Sequence, residues 1–189
     1  MNGPYLTTVS LVVLTLVLVP SPSSGLDLFD ITPGIARSEV ENLLQKAGLR
    51  YRSSESSKIE IRANLLSGIF ELQRAVFDFG TDDRLDTATV EITPAFDSDG
   101  FEVLELYDEV TSSLLRRLGS PTRERSTGTV SSAGRVLVGL STGAVERMME
   151  WEMEYFVRVG IPRRVDGRIL VVVAVSGHAF PENDPFWGQ

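Results

Sequence analysis

Three side chains have the types and the chain order of a serine-hydrolase triad: Ser141, Asp166 and His178. Ser141 is the centre of a Gly-x-Ser-x-Gly stretch over residues 139–143, and His178 is the single histidine of the sequence. In α/β hydrolases such a serine lies at a sharp turn between a strand and a helix, and the aspartate and histidine follow it along the chain. A small serine hydrolase is therefore one hypothesis for this chain.

The residues around the motif argue against that hypothesis. Apolar and polar residues alternate from Arg147 to Ile161, a pattern typical of a strand and not of the helix that must follow a nucleophile elbow. No His-Gly-Gly-Gly stretch that could build an oxyanion hole precedes Ser141, and a turn at Asp166-Gly167 explains the aspartate. We therefore expect a loop between two strands at Ser141, favour a non-enzymatic role and keep the hydrolase as the alternative.

A second group of polar residues could bind a cation. Asp97, Asp99 and Glu102 bring hard oxygen ligands close together in the sequence. An EF-hand loop would require a glutamate six residues after its glycine, where this chain has Leu106. A solvated turn explains the three carboxylates better than a calcium site does, so the sequence predicts no metal and no other cofactor.

Glu150, Glu152 and Glu154 alternate with Trp151, Met153 and Tyr155, which predicts one charged and one apolar strand face. An exposed strand with repeated carboxylates can bind a basic protein partner, and aromatic neighbours would add contact area. Alternating glutamates also keep a sheet soluble and prevent edge pairing. We predict a partner-binding surface at residues Glu150, Trp151, Glu152, Glu154 and Tyr155, with a merely solvated face as the competing interpretation.

Local patterns in the first half predict a helix followed by strands. An amphipathic helix is expected from a cap at Ser38 to the terminating Gly48. A polar loop over residues 53–57 should lead into a strand over 58–62. Two further strands, over 69–79 with a bulge near Arg74 and over 85–93, should form a hairpin around a turn at residues 80–83.

The second half is predicted to repeat this order. The spacing of apolar residues indicates a helix from Phe101 to Leu118 that ends at Gly119. A loop over residues 120–134 and a strand from Arg135 to Leu140 should follow. The chain should then form a long hairpin, with one strand over 147–161, a turn over 162–167 and a buried strand over 168–175.

These elements predict an α+β fold made of two tandem helix-plus-antiparallel-sheet units, with the helices packed on one face of the sheet. Residues 94–100, rich in proline, glycine and small polar residues, mark the boundary between the units. We assign residues 1–25 to a signal peptide, 26–98 to the first unit and 99–189 to the second.

Composition and the N-terminus indicate where the protein acts. A net charge of −8 argues against a nucleic-acid partner, because phosphate recognition needs a basic surface. The apolar run from Leu6 to Val19 is shorter than the roughly 20 residues of a membrane helix and precedes small residues suited to signal peptidase. We therefore predict a secreted or periplasmic protein that contacts a membrane only if this segment stays uncleaved. There is no cysteine, so neither disulfides nor a lipid-anchoring cysteine are available.

The stretch Ile31–Leu44 resembles the first helix of the small outer-membrane assembly domain called SmpA/OmlA or BamE-like, with its Pro-Gly turn, Glu-Val pair and Leu-Leu ending. Phe77-Asp78-Phe79-Gly80 is similar to a later strand and turn of that family. The tandem order of helix and sheet also resembles the beta-lactamase inhibitor proteins. Both resemblances imply an exported module that binds another envelope or secreted protein, and we expect this function.

Overall fold

The computed structural model describes residues 25–54, 57–69, 71–94, 100–128, 133–162 and 169–181. The first half contains a 3-10 turn at Leu28–Asp30, helix α1 (Arg37–Lys46) and strands β1 (Tyr51–Ser54), β2 (Lys58–Ile61), β3 (Leu72–Phe79) and β4 (Leu85–Thr93). The second half contains helices α2 (Phe101–Leu118) and α3 (Ala133–Thr142) and strands β5 (Arg123–Thr127), β6 (Glu146–Glu152), β7 (Phe156–Gly160) and β8 (Val171–Ser176).

The eight strands within the described ranges belong to one antiparallel sheet with the order β1-β2-β3-β4-β8-β7-β6-β5. The strands of the second half therefore lie in reverse order beside those of the first, and the halves meet where β4 pairs with β8. Each half begins with a helix that precedes its strands in the chain. The predicted mixture of helices with an antiparallel sheet is confirmed.

Alternate residues of the strands join the helices in one apolar core. The buried residues of β3 are every second one, and the apolar members Ala75, Phe77 and Phe79 contact the same cluster as Val40 of α1 and Val110 of α2. Burying a large aliphatic or aromatic side chain contributes roughly 1.5–3 kcal/mol, so this cluster is the main stabilising element. We call the opposite side of the sheet the outer face; across its middle it carries the strand residues Glu60, Val76, Thr89, Ala174, Arg158 and Glu150.

The predicted strand from Arg135 to Leu140 is wrong, because these residues belong to helix α3. Val136 and Leu140 are buried, whereas Val138 between them is 59% exposed. A separation of four residues places two side chains on the same side of a helix, and the residue halfway between them points away. Apolar residues alternate in this short run as they do in a strand, so the sequence pattern alone does not distinguish a helix from a strand here.

The predicted single strand over residues 147–161 is also wrong, because the chain reverses at Met153–Tyr155. Strands β6 and β7 form a tight hairpin in which Trp151 pairs with Val157, and the Met153 amide donates to the Tyr155 carbonyl at 3.0 Å. Alternation continues through the turn, and no glycine or proline marks the reversal. The predicted strand over 168–175 is present as β8, which lies beside β7.

Smaller differences concern caps, bulges and edges. The α1 cap residue is Ala36 and not Ser38, and the register shift in β3 lies between Asp78 and Phe79 and not near Arg74. The edge strand β5 lies within the predicted loop over 120–134, and the edge strand β1 overlaps the predicted loop over 53–57 at Ser53 and Ser54. Strand β5 is exposed along its whole length. Exposed polar strands lack the apolar alternation that reveals half-buried ones, so the sequence gives little sign of them.

Several predictions concern residues outside the described ranges. They include the signal segment over 1–24, Asp97 and Asp99, and Asp166 with its turn. Within the described ranges, no helix has the length and apolar character needed to cross a membrane.

Candidate functional site

The Gly-x-Ser-x-Gly motif lies at the C-terminal end of α3, so the predicted loop between two strands at Ser141 is wrong, and the motif is not at a strand-to-helix turn either. Gly143 follows the helix with φ of 75°, a conformation that glycine adopts without strain. A Cβ atom on Gly139 would come within 2.6 Å of Cγ2 of Val145, so this glycine allows the chain after the helix to pack closely. Both glycines are thus explained by how α3 ends.

His178 lies beyond the end of β8, and its side chain is 84% exposed. Its Nε2 is 3.4 Å from Oδ1 of Asp86, a residue at the start of β4. The described partner of the histidine therefore comes from the first half of the chain, at an open surface rather than in a sheltered catalytic pocket.

The carboxylates near residue 100 are only partly described. Glu102 lies in the first turn of α2, where a negative charge is favoured by the helix dipole. Within the described ranges, no group of three or more histidine, aspartate or glutamate side chains is arranged to hold a metal ion. Asp97 and Asp99, the other members of the predicted calcium group, are not among these residues.

Trp151 is part of the core and not of a free surface. Its side chain is 2% exposed, and Nε1 donates a hydrogen bond to the Gly119 carbonyl at 2.9 Å. Gly119 is the residue at which α2 ends. The indole therefore holds the end of this helix against β6, which is a structural role that its position in the alternating segment did not reveal.

Glu150 lies on the outer face and is engaged with Arg158 of β7. Its Oε2 accepts hydrogen bonds from Nε of Arg158 at 2.8 Å and from Nη2 at 2.6 Å. The two side chains are 12% and 3% exposed, and the Phe180 ring centroid lies 4.4 Å from the guanidinium carbon. Glu150 is thus committed to a buried ion pair, whereas Glu152 at the end of β6 is exposed.

Glu154 and Tyr155 belong to the β6–β7 turn and line a cleft of about 750 Å³ at one end of the sheet. We call this the turn cleft, because the β3–β4 turn contributes Asp82 to its lining, next to Asp86 at the start of β4. The predicted glutamate and tyrosine thus line the same cleft as Asp82 and Asp86 of the first hairpin. Residues from the N-terminal loop and the end of β8, including Pro33 and His178, complete the lining.

The charges of the turn cleft are mostly negative. Asp82 and Glu154 are exposed, and the Asp86 side chain is 49% exposed. Arg84 also lines the cleft, but its Nη1 donates to the Gly34 carbonyl at 2.7 Å. Three carboxylates, from the β3–β4 turn, the start of β4 and the β6–β7 turn, therefore share the cleft with one arginine and the His178 imidazole.

A second concavity of about 580 Å³ lies on the outer face itself, and we call it the outer groove. Its floor consists of small side chains that include Val76, Thr89 and Ala174. One side is formed by charged residues of β2 to β4, and the other by the segment that follows β8, with Phe180 and Pro181. His178 and Asp86 line both the groove and the turn cleft, so the two concavities are adjacent.

Arg74 is the central charged residue beside the outer groove. Its guanidinium donates to both oxygens of Glu60, at 2.7 and 2.8 Å, and to Glu91 at 2.9 Å. The hydrogen bond from Arg74 holds the pKa of Glu60 below the ordinary 4.5, and the same bond raises the pKa of Arg74. These charges are already paired with one another, which makes the β2–β4 side of the groove a preformed polar surface.

The sequence identified Glu154 and Tyr155 as site residues but did not join them to Asp82, Asp86 and His178. Acidic residues at a hairpin turn are usually solvated, and their separation from Glu154 along the chain hides the contact. Arg158 was missed because one charged residue in an apolar strand does not reveal that it is buried. No protein-family model, curated protein or solved structure matches this chain.

Proposed function

We propose that this protein is an exported, non-enzymatic module that binds another envelope or secreted protein through the turn cleft. The observation that carries the proposal is the meeting of two hairpin turns, one from each half of the chain, around exposed carboxylates and Tyr155. The cleft is concave and open to solvent, and the two hairpin turns in its lining are held in place by the strands that they connect.

The chemistry of the turn cleft favours a basic segment of a partner protein. Asp82, Asp86 and Glu154 can pair with lysine or arginine side chains, and complementary charge speeds association and selects partners. Tyr155 and Pro33 offer apolar contact beside these charges, and tyrosine is frequent at protein interfaces.

Export and the nature of the partner are supported by the sequence. The apolar N-terminal run followed by Pro20 to Gly25 has the order of a signal peptide. The resemblance of Ile31–Leu44 to BamE-like domains agrees with a role in the cell envelope. The partner would accordingly be an envelope or secreted protein, and we expect the mature chain to begin near Leu26.

We further infer that residues 26–98 and 99–189 are two related units. Each half carries a helix before four strands, and the strand order of one half is the reverse of the other. Such an arrangement fits two similar units joined edge to edge through β4 and β8, as the resemblance to the beta-lactamase inhibitor proteins implies. Helix α3 would then be an insertion of the second unit between β5 and β6.

The experiment that tests the function compares two charge reversals in the mature protein. Glu154→Lys changes an exposed carboxylate of the turn cleft, and Glu109→Lys makes the same change on the exposed side of α2. Each variant captures proteins from the envelope fraction of the source organism, and candidates are then purified and titrated against each variant. We expect Glu154→Lys to weaken a true partner by about tenfold, the effect of roughly 1.4 kcal/mol, and Glu109→Lys to leave it unchanged.

Binding that falls equally with both reversals would show only a general effect of net charge and would contradict the turn cleft as the site. Binding that is unchanged by Glu154→Lys would also contradict the turn cleft as the binding site. The interaction should also weaken as salt is raised, because exposed charges are screened over about 8 Å at physiological ionic strength.

A further inference from the structure

The outer groove owes its shape to the sizes of the side chains that line it. Strands β4 and β8 contribute short side chains to its floor: Thr87, Thr89, Ala174 and Ser176. Longer charged side chains of β2 and β3, among them Glu60 and Arg74, form one wall. In the other wall, the Phe180 ring is packed on the buried Arg158, with 4.4 Å between the ring centroid and the guanidinium carbon. Short side chains between two taller walls make an open trough.

The floor of this trough is longer than it is wide. Its lining on β4 runs from Asp86 to Glu91, which at about 3.4 Å per residue is roughly 17 Å along the strand. Across the sheet the floor spans three neighbouring strands, from Val76 of β3 to Ala174 of β8, and two strand spacings make roughly 10 Å. An extended chain advances by about 3.4 Å per residue, so about five of its residues match the length of the groove.

The outer groove adjoins the turn cleft at Asp86. This residue and His178 line both concavities, at the end of the sheet where β4 begins and β8 ends. The Asp86 side chain is 49% exposed, and its Oδ1 lies 3.4 Å from Nε2 of His178. A chain that lies along the groove therefore reaches the turn cleft at an accessible carboxylate.

The two concavities together have an excess of negative charge. Arg74 donates to two glutamates, and Lys58 lies 2.8 Å from Asp78, so the cations of the groove are already engaged with carboxylates. The three carboxylates of the turn cleft are exposed. This excess attracts a cationic occupant and repels an anionic one. Among the described residues, the two linings carry six carboxylates, Glu60, Asp78, Asp82, Asp86, Glu91 and Glu154, against the three fixed cations Lys58, Arg74 and Arg84.

Thr87 and Thr89 provide hydrogen-bonding groups for the backbone of such an occupant. The backbone groups of β4 are engaged with β3 and β8, so a chain on this face cannot join the sheet and needs side-chain partners. Both threonines are half-buried in the floor, and neither hydroxyl is hydrogen-bonded to another residue within the described ranges. A hydroxyl can both donate and accept, which suits the alternating groups of a peptide backbone.

We propose that the partner segment that enters the turn cleft continues into the outer groove as an extended stretch that carries lysine or arginine and lies along β4. Asp86, where the concavities meet, pairs with one of its cationic side chains. Thr87 and Thr89 bond its backbone, and Phe180 contacts the apolar stem of a long side chain. This inference rests on the proposed function and extends its site from one concavity to two.

Synthetic peptides of two lengths test the inference. Both alternate lysine with serine, so that in an extended chain every lysine points to the same side, and both have blocked termini. The peptide of four residues can occupy one concavity, whereas that of ten residues, roughly 34 Å long when extended, can occupy both. Each is titrated at low salt into the isotopically labelled mature protein, and binding is followed by NMR amide shifts. We expect the longer peptide to bind roughly tenfold more tightly, the effect of about two additional exposed charge pairs.

Thr89→Phe and Thr93→Phe are a matched pair of variants. Both threonines are half-buried on the same face of β4, but of the two only Thr89 lines the groove. We expect Thr89→Phe to fill the floor and to lower the affinity of the ten-residue peptide roughly tenfold, to that of the four-residue peptide. The four-residue peptide should bind both variants as it binds the wild type, which also shows that they are folded. Thr93→Phe should change neither affinity.

The groove is overturned as part of the site if the ten-residue peptide binds Thr89→Phe as tightly as it binds the wild type, and the turn cleft then stands alone. Absence of binding by the ten-residue lysine peptide, or equal binding of its glutamate counterpart, would overturn the cationic occupant. The proposed function fails separately. If Thr89→Phe weakens the longer peptide and Glu154→Lys weakens neither, the groove is a peptide site and the turn cleft is not.

Discussion

Arg74 on β3 and Arg158 on β7 occupy the third strand of their respective halves, and both project from the outer face. Each donates to a glutamate on the preceding strand, Arg74 to Glu60 and Arg158 to Glu150. Their surroundings differ, because Arg74 is 37% exposed and Arg158 is 3% exposed beneath Phe180. The same pair of residue types is therefore solvated in one half and enclosed in the other.

The contribution of an ion pair to stability depends on how far water reaches it. An exposed pair gains little because water solvates the separated charges almost as well. Folding removes both charges of a buried pair from water, and their mutual attraction offsets this desolvation cost. Removing one partner loses the attraction but leaves the other charge desolvated, whereas removing both partners also removes the desolvation cost. Four predictions follow from this difference, in order of decreasing effect.

The largest effect is expected from Glu150→Leu. This change removes the carboxylate to which the buried Arg158 donates two hydrogen bonds and leaves the guanidinium beneath Phe180. The loss of charge-assisted hydrogen bonds inside a buried site should lower the free energy of unfolding by about 2 kcal/mol. Urea denaturation followed by circular dichroism measures the change, and a loss below about 1 kcal/mol would mean that the pair behaves as an exposed one.

The double variant Glu150→Leu with Arg158→Met should recover most of that loss. Both charges are then absent, and the methionine can pack beneath the Phe180 ring. We expect its free energy of unfolding to lie within about 1 kcal/mol of the wild-type value, because apolar replacement of a buried pair is often neutral. A double variant as unstable as Glu150→Leu would show that Arg158 has a role beyond pairing with this glutamate.

The corresponding change in the first half, Glu60→Leu, should cost at most about 1 kcal/mol. Arg74 keeps its hydrogen bond to Glu91 at 2.9 Å, and water reaches its guanidinium. The same denaturation experiment gives the value. A loss as large as that of Glu150→Leu would remove the contrast between the two halves.

The smallest effect concerns acid stability. The hydrogen bond from Arg74 lowers the pKa of Glu60 in the folded state, so its contribution to stability is present above the unfolded pKa and is lost as pH falls through the folded value. Arg74→Met should raise the pKa of Glu60 towards 4.5 and flatten the dependence of stability on pH below that value. Carboxyl carbon NMR shifts give the pKa directly, and an unchanged pKa would contradict the assignment of its cause to Arg74.

Elements with a long, unambiguous period were predictable. Helix α2 begins and ends at the predicted Phe101 and Leu118, because its apolar residues recur at helical spacing and Gly119 terminates it. Strands β2 and β4 were predicted within a residue because half-burial imposes alternation on them. The Glu154 and Tyr155 of the candidate site were also found from this alternation, although a turn and not a strand presents them.

The features that could be predicted from the sequence are helix α2, the hairpin turn at residues 80–83, the α+β class and the acidic character of the chain. The tertiary structure alone decided that α3 is a helix, that β4 pairs with β8, and that Arg158 is buried while Arg74 is not. A short apolar run is compatible with both the helical and the strand period, so the sequence does not identify α3. The burial of a charge depends on contacts with residues far along the chain, such as that of Arg158 with Phe180. Such contacts produce no repeating pattern in the sequence, because they join residues whose separation along the chain is arbitrary.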